Sequence, residues 1–192
     1  ARALCAATQP DDVMTALCDP DVRIVTTTVT EKGYGIDRAS GGVDTTNVVI
    51  AHDLDRKNSP IGTIGLIVTA LEKRRANGIP PFTALCCDNL PDNGAFLHAG
   101  LVDFANQFDA DLANWITDNV ACPASMVDRI TPAQTSSTRT LAQDLTGVED
   151  ILAIETENFH QWAIEDNFPT GRPAWDRAGA IFTDNVAPFE KM

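Results

Sequence analysis

A polar pair, Asp88-Asn89, directly follows the short apolar stretch 83–87 (TALCC), and the chain then turns on Leu-Pro-Asp-Asn-Gly. Asp and Asn are disfavoured inside strands, so the pair marks the point where a buried strand ends. In open parallel α/β sheets, ligands bind beyond the carboxyl ends of the strands. The Asn89 amide could therefore donate a hydrogen bond to a carbonyl oxygen that gains negative charge during a reaction. The alternative is that both residues only cap the turn into the next helix.

A second polar pair, Asp128-Arg129, lies between apolar residues in the segment SMVDRITP (125–132). Adjacent side chains in a strand face opposite ways, so each of the two charges needs its own partner. One interpretation is a carboxylate and a guanidinium presented to a polar substrate, and the other is a structural salt bridge. A third segment, 157–176, mixes aromatic with charged residues and is equally compatible with a packed surface and with a site.

The composition limits the classes of function. The 192 residues are 44% hydrophobic and 21% charged, and the net charge is -13. These values are typical of a soluble globular protein, and the acidic balance argues against nucleic acid and membranes as partners. No apolar run reaches membrane-spanning length, and no signal-peptide pattern opens the chain. Because position 1 is not Met, we expect the chain to begin inside a longer protein.

The five cysteines and three histidines do not form a known metal or redox motif. The cysteine count is odd, the spacing is irregular, and no CxxC pair occurs. We therefore expect buried, reduced thiols in a cytoplasmic protein, and no metal site.

Strand and helix patterns alternate along the chain, which predicts an α/β protein with a largely parallel sheet. Strands are predicted at 22–29 and 82–87, where β-branched or apolar residues cluster, and less regularly at 147–157. The residues 35–58 are polar, which predicts irregular structure between the first strand and the first clear helix.

That helix is predicted to begin at 59–60, with Ser as cap and Pro at the first position, and to end at 77–78. Its apolar face is formed by Ile64, Ile67, Val68 and Leu71. The basic residues 73–75 complement the dipole of its last turn. A second helix is predicted after 93–94, and its apolar face is formed by Leu97, Leu101 and Phe104. Asp109 is predicted to cap a third helix.

The common nucleotide and hydrolase motifs do not occur in the chain. GxGxxG, Walker and GxSxG patterns are all absent from the sequence. From the residues alone, the chain is an α/β domain with polar residues at strand ends, and its reaction is not decided.

Five segments together resemble the polyol-specific long-chain dehydrogenases, the family that includes mannitol 2-dehydrogenase, fructuronate reductase and D-arabinitol 4-dehydrogenase. In the family's order they are VTEKGY (29–34), PPFTALCCDNLPDNG (80–94), SMVDRITP (125–132), QWAIEDNFPTGRPAWD (161–176) and NVAPFEKM (185–192). The resemblance runs from about residue 13 to the last residue. Two positions depart from the family pattern, since Cys86 replaces the usual Ser and Asn158 the usual Pro.

The resemblance implies a zinc-independent, NAD- or NADP-dependent enzyme that transfers a hydride between the nicotinamide and a sugar carbon. It implies a Rossmann-like parallel sheet with flanking helices and an extended insert, followed by a helical domain that this chain lacks. Residues 1–184 would be a partial Rossmann-type domain, and 185–192 the start of the connection to the helical domain. The family's catalytic Lys would follow Met192 and its glycine-rich segment would precede Ala1. The chain is therefore expected to be an internal fragment that is inactive alone.

The resemblance also implies roles for residues that are present. Asn89 would polarise the substrate carbonyl, and Glu190 would gate the proton exchange of the catalytic Lys. Asp128, with Arg129 beside it, would bind the substrate. Glu31 would lie near the nicotinamide end of the site and contribute to cofactor binding.

The partner would then be a small-molecule sugar alcohol, ketose or uronate. The sequence leaves the particular substrate open, as it leaves the choice between NAD and NADP. A first alternative is a non-catalytic binding or interaction fragment that keeps the family core. A second is a hydrolase that uses two of Asp88, Asp128 and Glu165, which requires carboxylates that converge on one cleft.

Overall fold

The computed structural model describes residues 2–190, which contain six α-helices, five β-strands and two 3₁₀ turns. The α-helices are α1 (Pro10–Cys18), α2 (Val48–Asp55), α3 (Thr63–Ala76), α4 (Asn93–Asn106), α5 (Ala110–Asn119) and α6 (Ser136–Thr146). The strands are β1 (Ile24–Thr27), β2 (Thr83–Cys86), β3 (Ser125–Asp128), β4 (Gln161–Glu165) and β5 (Ile181–Thr183). The 3₁₀ turns are Glu31–Tyr34 and Trp175–Ala178. Within this part of the chain, every helix is too short or too polar to span a bilayer.

The strands form two small sheets. β1 and β2 are parallel, with Ile24 opposite Thr83 and Thr27 opposite Cys86. In the second sheet β4 lies in the middle, antiparallel to β3 and parallel to β5. The predicted α/β class, with parallel pairing and flanking helices, is confirmed. The antiparallel β3–β4 pair is an addition that the sequence did not indicate, and it brings the two segments 125–128 and 161–165 side by side.

The buried side chain of Asn93 joins the two sheets at the end of β2. Its amide nitrogen donates to the carbonyl oxygens of Cys86 at 3.2 Å, Asp88 at 3.0 Å and Ser125 at 2.7 Å. Its oxygen accepts from the Ser125 amide at 2.9 Å. These four bonds fix the carboxyl end of β2 against the start of β3, because the groups are buried and have no water to replace them.

The core lies between the β1–β2 pair and the helices α1, α3, α4 and α5. The predicted apolar faces of α3 and α4 are both buried, which confirms the helical spacing read from the sequence. Asp109 caps α5, as predicted, by accepting a hydrogen bond from the Leu112 amide at 3.0 Å. These contacts make a rigid support under the ends of β1 and β2.

The predicted start of α3 is wrong by about one turn. The helix begins at Thr63 with Gly62 as its N-cap, not at Ser59-Pro60. The reason is the buried carboxylate of Asp53, which accepts from the amides of Ile61 and Gly62 at 2.8 Å each. Asp53 belongs to α2, a helix within the segment predicted to be irregular. The residue that could have indicated α2 in the sequence is Asn47, whose side chain caps the helix by accepting hydrogen bonds from the Val49 and Ile50 amides.

The predicted strand at 147–157 is also wrong. These residues follow α6, which ends at Gly147 in the left-handed conformation (φ 74°), and they turn without joining a sheet. Their apolar residues resemble a strand because they are closely spaced, but no neighbouring strand pairs with them in the described part of the chain. α6 itself was not predicted, although Thr135 caps it by accepting from the Thr138 amide at 3.2 Å.

Candidate functional site

A cleft of about 500 Å³ lies beyond the carboxyl ends of β2 and β3. The residues that contribute polar or aromatic groups to it are Asn89, Asp128, Arg129, His160, Gln161 and Trp162. Asn89 and Asp128, which are 39 positions apart in the sequence, thus line one surface. This is the edge at which open parallel α/β sheets bind their ligands.

Asn89 is exposed on the turn after β2, and its side chain forms no hydrogen bond with any residue of 2–190. Its neighbour behaves differently. The Asp88 side chain accepts hydrogen bonds from the loop that follows β1, and the Asp88 carbonyl accepts from the Leu90 amide at 2.8 Å. The turn-forming role therefore belongs to Asp88, and the Asn89 amide is free to bind a ligand in the cleft.

Asp128 is the last residue of β3 and is half-buried, opposite Gln161 of β4. Arg129 is exposed, and its Nε donates to the Glu157 carbonyl at 3.2 Å. Neither charge forms an ion pair among the described residues. The structural salt bridge that the sequence left open is therefore not found there, and the Asp128 carboxylate remains available in the cleft.

Glu190 and Glu31 lie outside the lining of this cleft. Glu190 accepts a hydrogen bond from the Asp92 amide at 3.1 Å, so it lies against the turn that follows Asn89. Glu31 begins the 3₁₀ turn and lines a separate cleft of about 840 Å³ that is formed by the loop residues up to Asn47. There its carboxylate is 3.4 Å from the Arg38 guanidinium.

His160, Gln161 and Trp162 are cleft residues to which the sequence gave no individual role, although they lie in the segment 157–176 that it left open as a site. They come to the cleft because β4 pairs antiparallel with β3, which places Trp162 opposite Val127. Trp162 also packs against Trp175, with 5.0 Å between the ring centroids. The alternation of QWAIE over 161–165 was a signal for a strand, but its partner could not be read from the sequence.

The carboxylates required for the hydrolase alternative do not converge. Asp88 points to the loop after β1, and Glu165 accepts from the Ala124 amide at 2.9 Å. Of the three acidic residues considered, only Asp128 lines the cleft. A pair of carboxylates flanking a scissile bond is therefore missing from this surface.

The thiols near the site are not activated. Burial raises the pKa of Cys87 to about 11 and that of Cys122 to about 12, so both stay protonated at neutral pH. All five cysteines are unpaired by disulfides, but Cys5 is exposed, so the expectation of buried thiols is wrong for that residue. The residues from 2 to 190 hold no group of three His, Cys, Asp or Glu side chains with metal-binding geometry.

Comparison with known proteins identifies the family. Residues 1–177 match the mannitol dehydrogenase Rossmann domain, and the chain belongs to this family of oxidoreductases. It is 46% identical over 182 residues to D-mannonate oxidoreductase of Escherichia coli, and 46% identical over 177 residues to mannitol 2-dehydrogenase of Cereibacter sphaeroides. These matches cover 95% and 92% of this chain but 37% of each relative.

A solved structure has the same arrangement. The mannitol 2-dehydrogenase of Pseudomonas fluorescens, in a ternary complex with NAD and D-mannitol, superimposes with a TM-score of 0.92 at 42% identity. The match covers 98% of this chain and 38% of that protein. The chain thus spans little more than a third of the length of the dehydrogenases that it matches, and the resemblance stated from the sequence motifs is confirmed.

Proposed function

We propose that the whole protein containing this chain is an NAD- or NADP-dependent oxidoreductase. It interconverts a sugar alcohol of the mannitol or arabinitol type, or an aldonate, with the matching ketose or keto-uronate. The observation that carries the proposal is one cleft at the end of β2, which is lined by the amide of Asn89 and the carboxylate of Asp128. Neither group is hydrogen-bonded to another side chain or backbone group of residues 2–190. Family membership and the similarity to polyol and mannonate dehydrogenases support it.

The cleft residues have distinct tasks in this reaction. The Asn89 amide donates to the substrate oxygen, on which negative charge develops as the carbonyl is reduced or the alcohol oxidised. The Asp128 carboxylate accepts from the hydroxyl groups of the substrate, and charge assistance makes such bonds strong. Arg129 provides a cation at the rim of the cleft, which suits a substrate that carries its own carboxylate.

A bound nicotinamide cofactor would supply the hydride for carbonyl reduction and accept it in alcohol oxidation. The residues present fit only part of its site. β1 and β2 end side by side at an open edge, as at a dinucleotide-binding crevice, but no glycine-rich phosphate loop occurs in these 192 residues. The chain thus provides surroundings for the reacting end of the cofactor and no assigned site for its phosphates. Glu31 on the cofactor side and Glu190 as a gate for proton exchange remain proposals.

Three further expectations accompany the proposal. Residues 1–184 are the partial Rossmann-type domain, and 185–192 begin the connection to a helical domain; Ala1, Lys191 and Met192 lie outside the described residues. In this proposal the chain alone is inactive, because none of the residues given a role here takes the alcohol proton. A cytoplasmic location remains a prediction from the cysteine pattern.

The proposal is tested by cofactor absorbance at 340 nm with the whole protein, using D-mannitol, D-arabinitol and D-mannonate with NAD⁺ and NADP⁺. We expect turnover with at least one pair of substrate and cofactor. Asn89→Ala should then lower kcat by about 10²–10³-fold with little change in KM, as expected for a lost donor to a developing oxyanion. Asn114→Ala, on the exposed side of α5, is the matched control.

Two outcomes would count against this function. The first is no cofactor oxidation or reduction with any of these substrates in either direction. The second is turnover by Asn89→Ala that equals turnover by the control, which would separate the cleft from the chemistry.

A further inference from the structure

We propose that Asp88 is a positioning residue that ties the loop carrying Glu31 to the strand end carrying Asn89. The proposal rests on the function proposed above and adds a residue that holds two sides of the site in register. Asp88 itself does not line the substrate cleft, so it would act through its neighbours.

The Asp88 carboxylate accepts three hydrogen bonds from one loop. The amides of Val29 and Thr30 donate to its two oxygens at 3.0 Å each, and the Tyr34 hydroxyl donates at 2.6 Å. The donors are 54 to 59 positions earlier in the chain. Bonds to an ionised carboxylate are stronger than neutral ones, so this one side chain is the main link between the loop and the end of β2.

The loop has a backbone conformation that needs such a link. Thr30 has φ 64° and ψ 160°, a combination that is essentially restricted to glycine. A β-branched residue keeps it only where the surroundings impose it, and here the Thr30 amide is held by Asp88. The bend at Thr30 directs the chain into the 3₁₀ turn that begins with Glu31.

Tyr34 extends the link into the core. The ring is buried, and the hydroxyl lies 2.6 Å from Thr27 Oγ1 on β1 and 3.2 Å from Cys86 Sγ on β2. Burial, followed by the hydrogen bond to Asp88, raises the pKa of the Tyr34 phenol far above its ordinary value. The phenol therefore stays protonated and donates to Asp88, so β1, β2 and the loop share one hydrogen-bonded centre directly beside Asn89.

The decisive variant is Asp88→Asn, which keeps the shape of the side chain but replaces one acceptor oxygen with an NH₂ donor. The NH₂ group then faces either the Thr30 amide, at the place of Oδ1, or the Val29 amide and the Tyr34 hydroxyl, at the place of Oδ2. We expect the loop to detach, kcat of the whole protein to fall by about 10–100-fold, and KM for the cofactor to rise several-fold. Misplacement of about 1 Å at a reacting centre is enough for such a loss.

The experiment has two readouts. Amide hydrogen exchange by NMR follows Val29 and Thr30, with Ala84 on β2 as the internal reference, because its amide bonds to the Ala121 carbonyl away from this centre. Steady-state kinetics then separates kcat from KM. Asp118→Asn, on the exposed surface of α5, is the matched control and should behave as the wild type in both. Tyr34→Phe keeps the buried ring and removes one donor, so it should show a smaller change in the same direction.

The outcomes are distinct. Faster exchange at Val29 and Thr30 but not at Ala84, together with a loss of kcat, would support the proposal. Wild-type exchange or wild-type kinetics in Asp88→Asn would overturn it, and if that variant does not fold, Tyr34→Phe decides by the same two readouts. If the wild-type protein has no turnover, the proposed function fails, and the exchange data alone then decide whether Asp88 holds the loop.

Discussion

At the residue scale, side chains of the same type have different roles, and their hydrogen bonds show which are structural and which are available to a ligand. Asp88 and Asp128 both follow apolar residues, yet the Asp88 carboxylate accepts three hydrogen bonds from the loop after β1, and the Asp128 carboxylate accepts none from the described residues. Asn89 and Asn93 differ in the same way, because Asn93 is buried with four bonds and Asn89 is exposed. A side chain whose bonding capacity is already filled cannot also bind a substrate.

Arg74 gives a further example. The sequence assigned it, with its neighbours, to the dipole of the last turn of α3, and it does lie there. Its side chain, however, is only 1% exposed and donates to backbone carbonyls at the end of α1 and in the surrounding loops. The acceptors are the carbonyl oxygens of Leu17, Asp19, Val22 and Pro80, at 2.8–3.1 Å. One guanidinium thus donates hydrogen bonds to four backbone carbonyls that have no donor from a helix or sheet.

We predict that Arg74→Met lowers the free energy of unfolding by about 3–5 kcal/mol, because four partly buried backbone carbonyls lose their guanidinium donor. Urea unfolding followed by circular dichroism measures the loss. The neighbouring Lys73→Met, at an exposed position, should change stability by no more than about 0.5 kcal/mol. Equal effects of the two substitutions would show that Arg74 contributes only to the helix dipole.

At the element scale, the start of α4 decides whether the two sheets meet. Asn93 supplies the hydrogen bonds, and Gly94 supplies the space. A Cβ added at Gly94 would overlap the Cys122 carbonyl oxygen and the Ala124 amide nitrogen. Because both are backbone atoms, neither can rotate away, and the helix can approach the segment before β3 only with glycine at this position.

We predict that Gly94→Ala is destabilising by about 2–3 kcal/mol, through overpacking against backbone. The measurement is thermal or urea unfolding of the chain. Gly33→Ala is the comparison, since its added Cβ would meet only the Val29 side chain at 3.1 Å and should cost less. A Gly94 variant as stable as the wild type would mean that the close approach of α4 to residues 122–124 is not required.

At the scale of the whole molecule, the region from α6 to residue 154 has an unusual surface. Its large apolar side chains are more than half exposed: Leu141 54%, Leu145 77%, Val148 64%, Ile151 67%, Leu152 78% and Ile154 74%. Polar contacts hold the start of α6 to the segment that follows the helix. The Thr138 hydroxyl donates to the Glu155 carboxylate, and the Gln134 side chain, just before the helix, donates to the Ile151 and Ala153 carbonyls. Exposed apolar surface of this kind favours association.

We predict that the chain self-associates through this region at high concentration. The double variant Leu145→Gln/Leu152→Gln should reduce association in analytical ultracentrifugation without lowering the unfolding temperature, because both side chains already face solvent. Leu97→Gln, at a fully buried position of α4, should instead unfold the chain. Unchanged association of the double variant would exclude the region as the contact surface.

The sequence by itself determined the α/β class, the apolar faces of α3 and α4, and the family, because these depend on local spacing and on contiguous motifs. It also located the end of β2 at Asp88-Asn89. The tertiary structure alone decided which of the two side chains lines the cleft, since only the position of the loop after β1 fills the bonds of Asp88.

The start of α3 and the absence of a strand at 147–157 likewise depend on residues that are far away in the sequence. Asp53 holds the two amides just before α3 from another helix, and the apolar residues after α6 have no strand to pair with among those described. The meeting of Asp128 with Gln161 depends on an antiparallel pairing across 32 intervening residues. Local patterns encode which residues are polar or apolar, whereas pairing over long separations depends on packing that no short segment contains.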